Sequence, residues 1–133
     1  MLVAITIEPQ LKKIEQGNTV EWKRFNGSFI NVEIEPEELL TSIKNGYAYT
    51  TQHGQYRHKD WFIGGQHLGL DFDTEDVRST IEFLKEDPFV KQYGSFIHTT
   101  PSHLEEKPRA RVVFVLDKPI YDAGKYAELM EGL

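Results

Sequence analysis

Two aspartates that stand two residues apart carry the clearest chemical pattern of the chain. Asp71 and Asp73 follow the apolar stretch Leu68-Gly-Leu70, with Phe72 between them. In a strand, residues i and i+2 point to the same face, so the two carboxylates are predicted to project side by side. Burial of two carboxylates is costly unless a cation offsets it, and the pair is therefore predicted to hold a divalent metal ion against phosphates. In the alternative, Asp73 or Thr74 caps the next helix.

A serine and a histidine stand together in Thr99-Thr-Pro-Ser-His103. In one interpretation Ser102 and His103 contact a substrate. In the other, Ser102 caps a short helical turn, with Glu105 at the capping-box spacing, and His103 is a surface residue. Adjacent Ser and His residues cannot easily serve each other as nucleophile and base, and the chain has no Gly-x-Ser-x-Gly turn. A serine hydrolase is therefore a poor interpretation.

Two arginines two residues apart begin an apolar, β-branched run. Arg109 and Arg111 precede Val112-Val-Phe-Val115, and the strand period places both on one face. A guanidinium group can grip phosphate oxygens in bidentate fashion, so the pair is a candidate phosphate-binding face. Alternatively, the arginines are a solvated edge or pair with Glu105 and Glu106.

The remaining candidates are weaker. Lys59, in the basic run Arg57-His-Lys59, could add positive charge to the site. Asp117 could be a third acid or an ordinary turn residue before Lys118-Pro119. Three further histidines, His53, His67 and His98, lack a spacing typical of metal ligands.

Composition narrows the possible functions. The chain has 133 residues, a formal net charge of −6 and no cysteine, which excludes disulfides, thiolate zinc sites and a cysteine nucleophile and is compatible with the cytoplasm. No apolar run approaches the ~20 residues of a membrane span, so no membrane partner is expected. The acidic balance argues against tight duplex binding, whereas small basic clusters suit a mononucleotide or a few template phosphates.

The pattern of elements predicts an α+β domain with a sheet of several strands. Strands are expected at residues 1–7, 47–51, 95–100 and 109–117, besides the strand that ends in Asp71 and Asp73. Helices are expected from Pro36 to a stop at Gly46, after Asp73 up to Pro88, and over residues 122–132 with Asp122 as cap. Residues 20–23 could form another strand, and residues 52–65 a loop or an irregular hairpin.

Taken together, these motifs resemble the archaeo-eukaryotic primase superfamily, and in particular the primase-polymerase domains of phages, plasmids and mobile elements. The apolar strand ending in Asp71-Phe-Asp73 is similar to the first motif of that family. Thr100-Pro-Ser-His103, followed by Pro108-Arg-Ala-Arg111, resembles its second motif in the phage-type branch. The segment Gly46–His53 also looks like that branch, and the resemblance covers roughly residues 30–120.

The resemblance implies an RRM-like catalytic core, with a central, mostly antiparallel sheet and flanking helices. It implies a DNA primase or polymerase that uses Mg²⁺ or Mn²⁺ and nucleoside triphosphates on a single-stranded DNA template, with a helicase as a further partner. Asp71, Asp73 and His103 would be catalytic, and Asp71 and Asp73 would hold metal together with Asp117. The nucleotide would be bound by Ser102, His103, Arg109, Arg111 and Lys59.

The position of the third acid leaves alternatives open. The corresponding acid of the family often falls later in the chain than Asp117, and the chain is expected to be one domain, residues 1–133, at the start of a longer replication protein. The competing functions are another Asp-x-Asp phosphotransfer enzyme, such as a nuclease, and a non-catalytic interaction module. A nuclease would want a Glu-x-Lys strand, and Glu106-Lys107 and Asp117-Lys118 have the wrong spacing.

Overall fold

The computed structural model describes residues 1–10 and 12–133. Its internal contacts divide the chain into two units, Met1–Gln66 with Asp117–Gly132, and His67–Leu116 with Leu133. The architecture is α+β with two antiparallel sheets, which confirms the predicted class.

The strands and helices have the following bounds in the described residues. The strands are β1 (Leu2–Thr6), β2 (Phe29–Glu33), β3 (Tyr49–Thr50), β4 (Gln52–His53), β5 (Phe62–Phe72), β6 (Phe96–Thr99) and β7 (Ala110–Ile120). The helices are α1 (Thr19–Asn26), α2 (Pro36–Lys44), α3 (Ile81–Leu84), α4 (Pro88–Tyr93) and α5 (Ala123–Glu131), with 3₁₀ turns at Lys59–Trp61 and Val77–Ser79. The sheet orders are β2-β1-β3 and β4-β5-β7-β6. None of the helices in residues 1–10 and 12–133 is both long and apolar enough to cross a membrane.

In the first unit, two helices test the sequence predictions. Helix α2 begins at Pro36, as predicted, and the backbone turns into the left-handed region at Gly46, with φ 90°. The suggested strand at residues 20–23 is wrong, because Asn18 accepts a hydrogen bond from the Glu21 N–H and starts α1. Val20, its β-branched residue, is exposed rather than packed on a sheet.

In the second unit, strands β6 and β7 pair with Phe96 opposite Val113 and His98 opposite Arg111. Val112 is completely buried, and the ring of Phe114 lies 5.7 Å from the ring of Phe89 in α4. Helix α4 therefore covers the face of β7 that carries Val112 and Phe114. Since side chains alternate along a strand, Arg111 lies on the opposite face.

The predicted continuous helix between Asp73 and Pro88 is wrong. Three side chains each start a separate short element: Asp76 accepts from the Arg78 N–H, Thr80 from the Phe83 N–H, and Asp87 from the Phe89 and Val90 N–H groups. Thr80 has extended backbone angles, which interrupt any helix at that point. Local caps divide the segment, and of its apolar side chains Leu84 is buried whereas Val77 is 64% exposed.

Candidate functional site

An ion pair joins the acidic strand to the arginine strand within the second unit. Asp71 lies near the end of β5 and Arg111 near the start of β7. Arg111 Nε and Nη2 donate to the two carboxylate oxygens of Asp71 at 2.6 and 3.1 Å. The Asp71 side chain is 59% exposed and the Arg111 side chain 36%. The hydrogen bond from Arg111 holds the pKa of Asp71 below its usual value. The inference that the apolar lead-in would bury Asp71 is therefore wrong.

A glycine makes room for this ion pair. A Cβ atom built on Gly69 would lie 3.2 Å from Arg111 Cδ, closer than an ordinary van der Waals contact. The aliphatic part of Arg111 therefore lies against the backbone of β5 at the position where a side chain is missing. Gly69 and Asp71 are two residues apart on the same face of the strand, so the guanidinium group reaches Asp71 over Gly69.

Two histidines, His67 and His98, lie near Arg111. His98 faces it across the β6–β7 pair, and His67 is 7% exposed on β5. Burial, together with the positive charge of Arg111, lowers the pKa of His67 to about 4. Burial also lowers the pKa of His98, and the charge of Asp71 opposes that change. Both imidazoles are accordingly neutral near pH 7.

A second ion pair holds the other arginine. Arg109 Nη2 lies 2.6 Å from Glu75 Oε1, and this hydrogen bond lowers the pKa of Glu75 and raises that of Arg109. The negative charge of Asp73 also raises the pKa of Arg109. Glu75 has φ 61°, a left-handed conformation that non-glycine residues rarely adopt. Glu75 is thus the ion-pair partner of Arg109, and Asp73 acts on Arg109 through its charge.

His103 is oriented by the same arginine. Its Nδ1 accepts a hydrogen bond from the backbone N–H of Arg109 at 3.0 Å. Because Nδ1 uses its lone pair as acceptor, a neutral His103 ring carries its proton on Nε2 and can donate it to a ligand. Ser102 precedes it in a turn over residues 101–102 and does not start a helix, so the capping alternative is wrong.

The structure brings most of the predicted site residues into one cluster. Asp71 pairs with Arg111, His103 accepts a hydrogen bond from the Arg109 N–H, and the charge of Asp73 raises the pKa of Arg109. The partners of the arginines are Asp71 and Glu75, not Glu105 or Glu106. Lys59 and Asp117 belong to the first unit, and their roles in the site stay predictions.

The sequence did not place three contributors in the site: Glu75, His98 and Gly69. The register between β6 and β7 places His98 opposite Arg111, and no local pattern encodes that register. Glu75 pairs with Arg109 from a backbone conformation of positive φ, and a Glu residue in the sequence gives no sign of that conformation. Gly69, within the apolar stretch before Asp71, was a sign of its own role in the sequence, because a glycine inside a strand often marks the close approach of another group.

The donor set agrees with a divalent metal only in part. Among residues 1–10 and 12–133, no group of three or more His, Asp or Glu side chains is arranged to hold a metal ion. Asp71 and Asp73 supply hard oxygen donors, and Mg²⁺ is commonly held by one or two carboxylates while substrate phosphates and waters complete its shell. The site therefore fits a metal–phosphate complex better than a bare ion, and Asp71 must release Arg111 to join it.

Comparison of the chain with protein-family models, with curated proteins and with solved structures found no match. Each guanidinium group is neutralised by a carboxylate at 2.6 Å. Such a cluster can exchange partners, since phosphate oxygens compete for the arginines while a cation competes for the carboxylates.

Proposed function

We propose that the second unit binds a nucleoside triphosphate with Mg²⁺ or Mn²⁺ and catalyses nucleotidyl transfer on a single-stranded DNA template, as a primase-polymerase does. The observation that carries the proposal is the pairing of Asp71 with Arg111 across two strands. One exposed position thereby combines a metal-binding and a phosphate-binding group. The RRM-like core, the helicase partner, the cytoplasmic location and the lack of a membrane partner belong to the same proposal.

The two arginines would bind the triphosphate. A guanidinium group that holds both oxygens of a carboxylate, as Arg111 holds Asp71, offers the same fork to two phosphate oxygens. Arg109 is directed by Glu75 and by the charge of Asp73. Binding of a metal–nucleotide complex would exchange ion pairs without leaving an arginine or a carboxylate uncompensated, which keeps its cost low.

The remaining residues have distinct tasks. His103, with its proton on Nε2, would donate to a phosphate oxygen, and Ser102 beside it would add a hydroxyl. Asp71 and Asp73 would hold the metal, whereas the roles of Asp117 and Lys59, which belong to the first unit, stay predictions. The bound metal would supply charge neutralisation of the triphosphate and activation of the attacking 3′-hydroxyl.

A primer-extension assay tests this function. Wild-type protein is incubated with a primed template, Mn²⁺ and labelled nucleotides beside the Asp71→Ala/Asp73→Ala double variant. Glu86→Gln serves as control, because Glu86 lies in the same unit and pairs with Lys91, not with either arginine of the site. Extension by the wild type and the control, but not by the double variant, is expected.

The other outcomes select the competing functions. Degradation of the template would indicate a nuclease. Inactivity of a folded wild-type protein would indicate a non-catalytic interaction module.

A further inference from the structure

A cluster of exposed aromatic rings lies in the first unit, in the segment between β4 and β5. We name residues 54–61 the aromatic loop. The ring of Tyr56 lies 6.2 Å from the ring of His58 and 6.2 Å from that of Trp61. Tyr56 is 45% and Trp61 38% exposed. Three neighbouring rings that all reach solvent are a surface suited to a flat, apolar ligand group.

The loop is held in this conformation by several contacts. The Gly54 N–H donates to the carbonyl of Trp61 at 2.7 Å and closes the loop. Arg57 donates from its backbone to the Asn26 carbonyl at 2.8 Å and from Nε to Asn26 Oδ1 at 2.9 Å. Its guanidinium carbon also lies 5.7 Å from the centre of the Phe25 ring. The rings are thus positioned before any ligand arrives, which reduces the entropy cost of binding.

The charges of the loop favour an anionic ligand. Arg57 and Lys59 alternate with the rings, and Asp60 is the acid of the segment. His58 Nδ1 accepts from the Asp60 N–H at 3.2 Å and lies 3.5 Å from the Asp60 carboxylate, so this acid is turned toward the His58 ring. A chain with a net charge of −6 therefore carries a locally positive surface at its exposed rings.

We propose that the aromatic loop is a stacking site for unpaired bases of single-stranded nucleic acid, with Lys59 facing the phosphates. Every base offers a π-face to an aromatic side chain, and combined stacking and cationic contacts are the usual means of binding single strands without sequence preference. Duplex bases are stacked on one another and cannot enter such a cluster. The proposal depends on the first unit alone and holds whether or not the second unit transfers nucleotides.

Fluorescence of Trp61 provides a direct test. The chain contains two tryptophans, so Trp22→Phe leaves Trp61 as the single reporter. This variant is titrated with a short oligothymidylate at low salt, without metal or nucleoside triphosphate. Saturable quenching by the single strand, and much weaker quenching by a duplex of equal length, are expected. No binding, or equal binding of the duplex, would overturn the proposal.

Side-chain variants locate the site by anisotropy of a labelled oligothymidylate. Tyr56→Ala and Trp61→Ala are each expected to weaken binding at least about fivefold, and Trp61→Phe much less, because it retains a ring. Tyr121→Ala, an exposed tyrosine of the same unit outside the loop, should bind like the wild type. Unchanged affinity in both Tyr56→Ala and Trp61→Ala would refute a stacking role.

The salt dependence tests the charged part of the site. Each phosphate neutralised on a single strand contributes about −0.7 to the slope of log K against log salt concentration. Lys59→Gln should therefore make the slope less steep by about 0.7. An unchanged slope would mean that Lys59 does not face a phosphate and would contradict that part of the proposal.

Discussion

Replacement of Asp71 by asparagine is expected to strengthen the binding of a nucleotide in the absence of metal. Asp71 is a proposed metal ligand, but in the free protein it accepts two hydrogen bonds from the guanidinium group of Arg111. The asparagine side chain has no charge and cannot neutralise Arg111. Arg111 can then bind a triphosphate without first breaking an ion pair. The substitution also removes one negative charge that would repel the phosphates.

The size of the effect follows from the exposure of the pair. Neither side chain is buried, so solvent screens their attraction, and pairs of this kind contribute about 0.2–1 kcal/mol. The bidentate geometry places this pair toward the upper end of that range. Release of about 0.5–1 kcal/mol corresponds to a gain in metal-free affinity of about two- to fivefold.

The assay is a titration with a fluorescent ATP analogue, first with EDTA and then with Mg²⁺. In EDTA, Asp71→Asn should bind more tightly than the wild type, whereas Mg²⁺ should improve wild-type binding and affect the variant much less. Glu86→Gln removes the same charge from the same unit and should behave like the wild type. Equal or weaker metal-free binding by Asp71→Asn would refute the role of Arg111 as a phosphate ligand.

Further substitutions test the packing, the titration and the caps of the second unit. Gly69→Ala places a methyl group 3.2 Å from Arg111 Cδ and should displace the guanidinium group. Nucleotide affinity, measured by the same titration, should therefore fall, with little change in the midpoint of urea unfolding. His67 has a pKa of about 4 in the folded protein against 6.5 for the free group. The unfolded chain therefore binds more protons between pH 6.5 and pH 4, and stability should fall as the pH falls through that window, by on the order of 3 kcal/mol in total. Urea unfolding at several pH values measures this slope, and His67→Phe should flatten it. Asp87→Ala removes the acceptor for two N–H groups at the start of α4 and should cost about 1 kcal/mol in the free energy of unfolding, measured by the same urea titration.

The elements that local chemistry specifies were predicted well. Pro36 starts α2, and Asp122 caps α5 by accepting from the Lys125 N–H. In these cases the residues that decide the boundary lie within one turn of it. The prediction of one helix between Asp73 and Pro88 was wrong because three consecutive caps, each satisfying backbone N–H groups, start separate short elements.

Sequence alone determined the residue types of the candidate site. The two-residue strand period predicts that Asp71 and Asp73 share a face, as do Arg109 and Arg111. In the structure β5 ends at Phe72 and β7 begins at Ala110, so Asp73 and Arg109 lie just outside their strands. The sequence did not determine the exposure of these residues. The apolar stretch before Asp71 suggested that this residue is buried, yet its side chain is 59% exposed beside Arg111.

Only the tertiary structure decided which acid meets which arginine. Glu105 and Glu106 are near Arg109 in sequence, but the partners of Arg109 and Arg111 are Glu75 and Asp71, 34 and 40 residues earlier. The order of strands puts β5 beside β7, and Gly69 leaves the space through which Arg111 crosses. Such pairing depends on strand register and on the burial of the opposite face by α4, and neither is encoded within a few residues of the site.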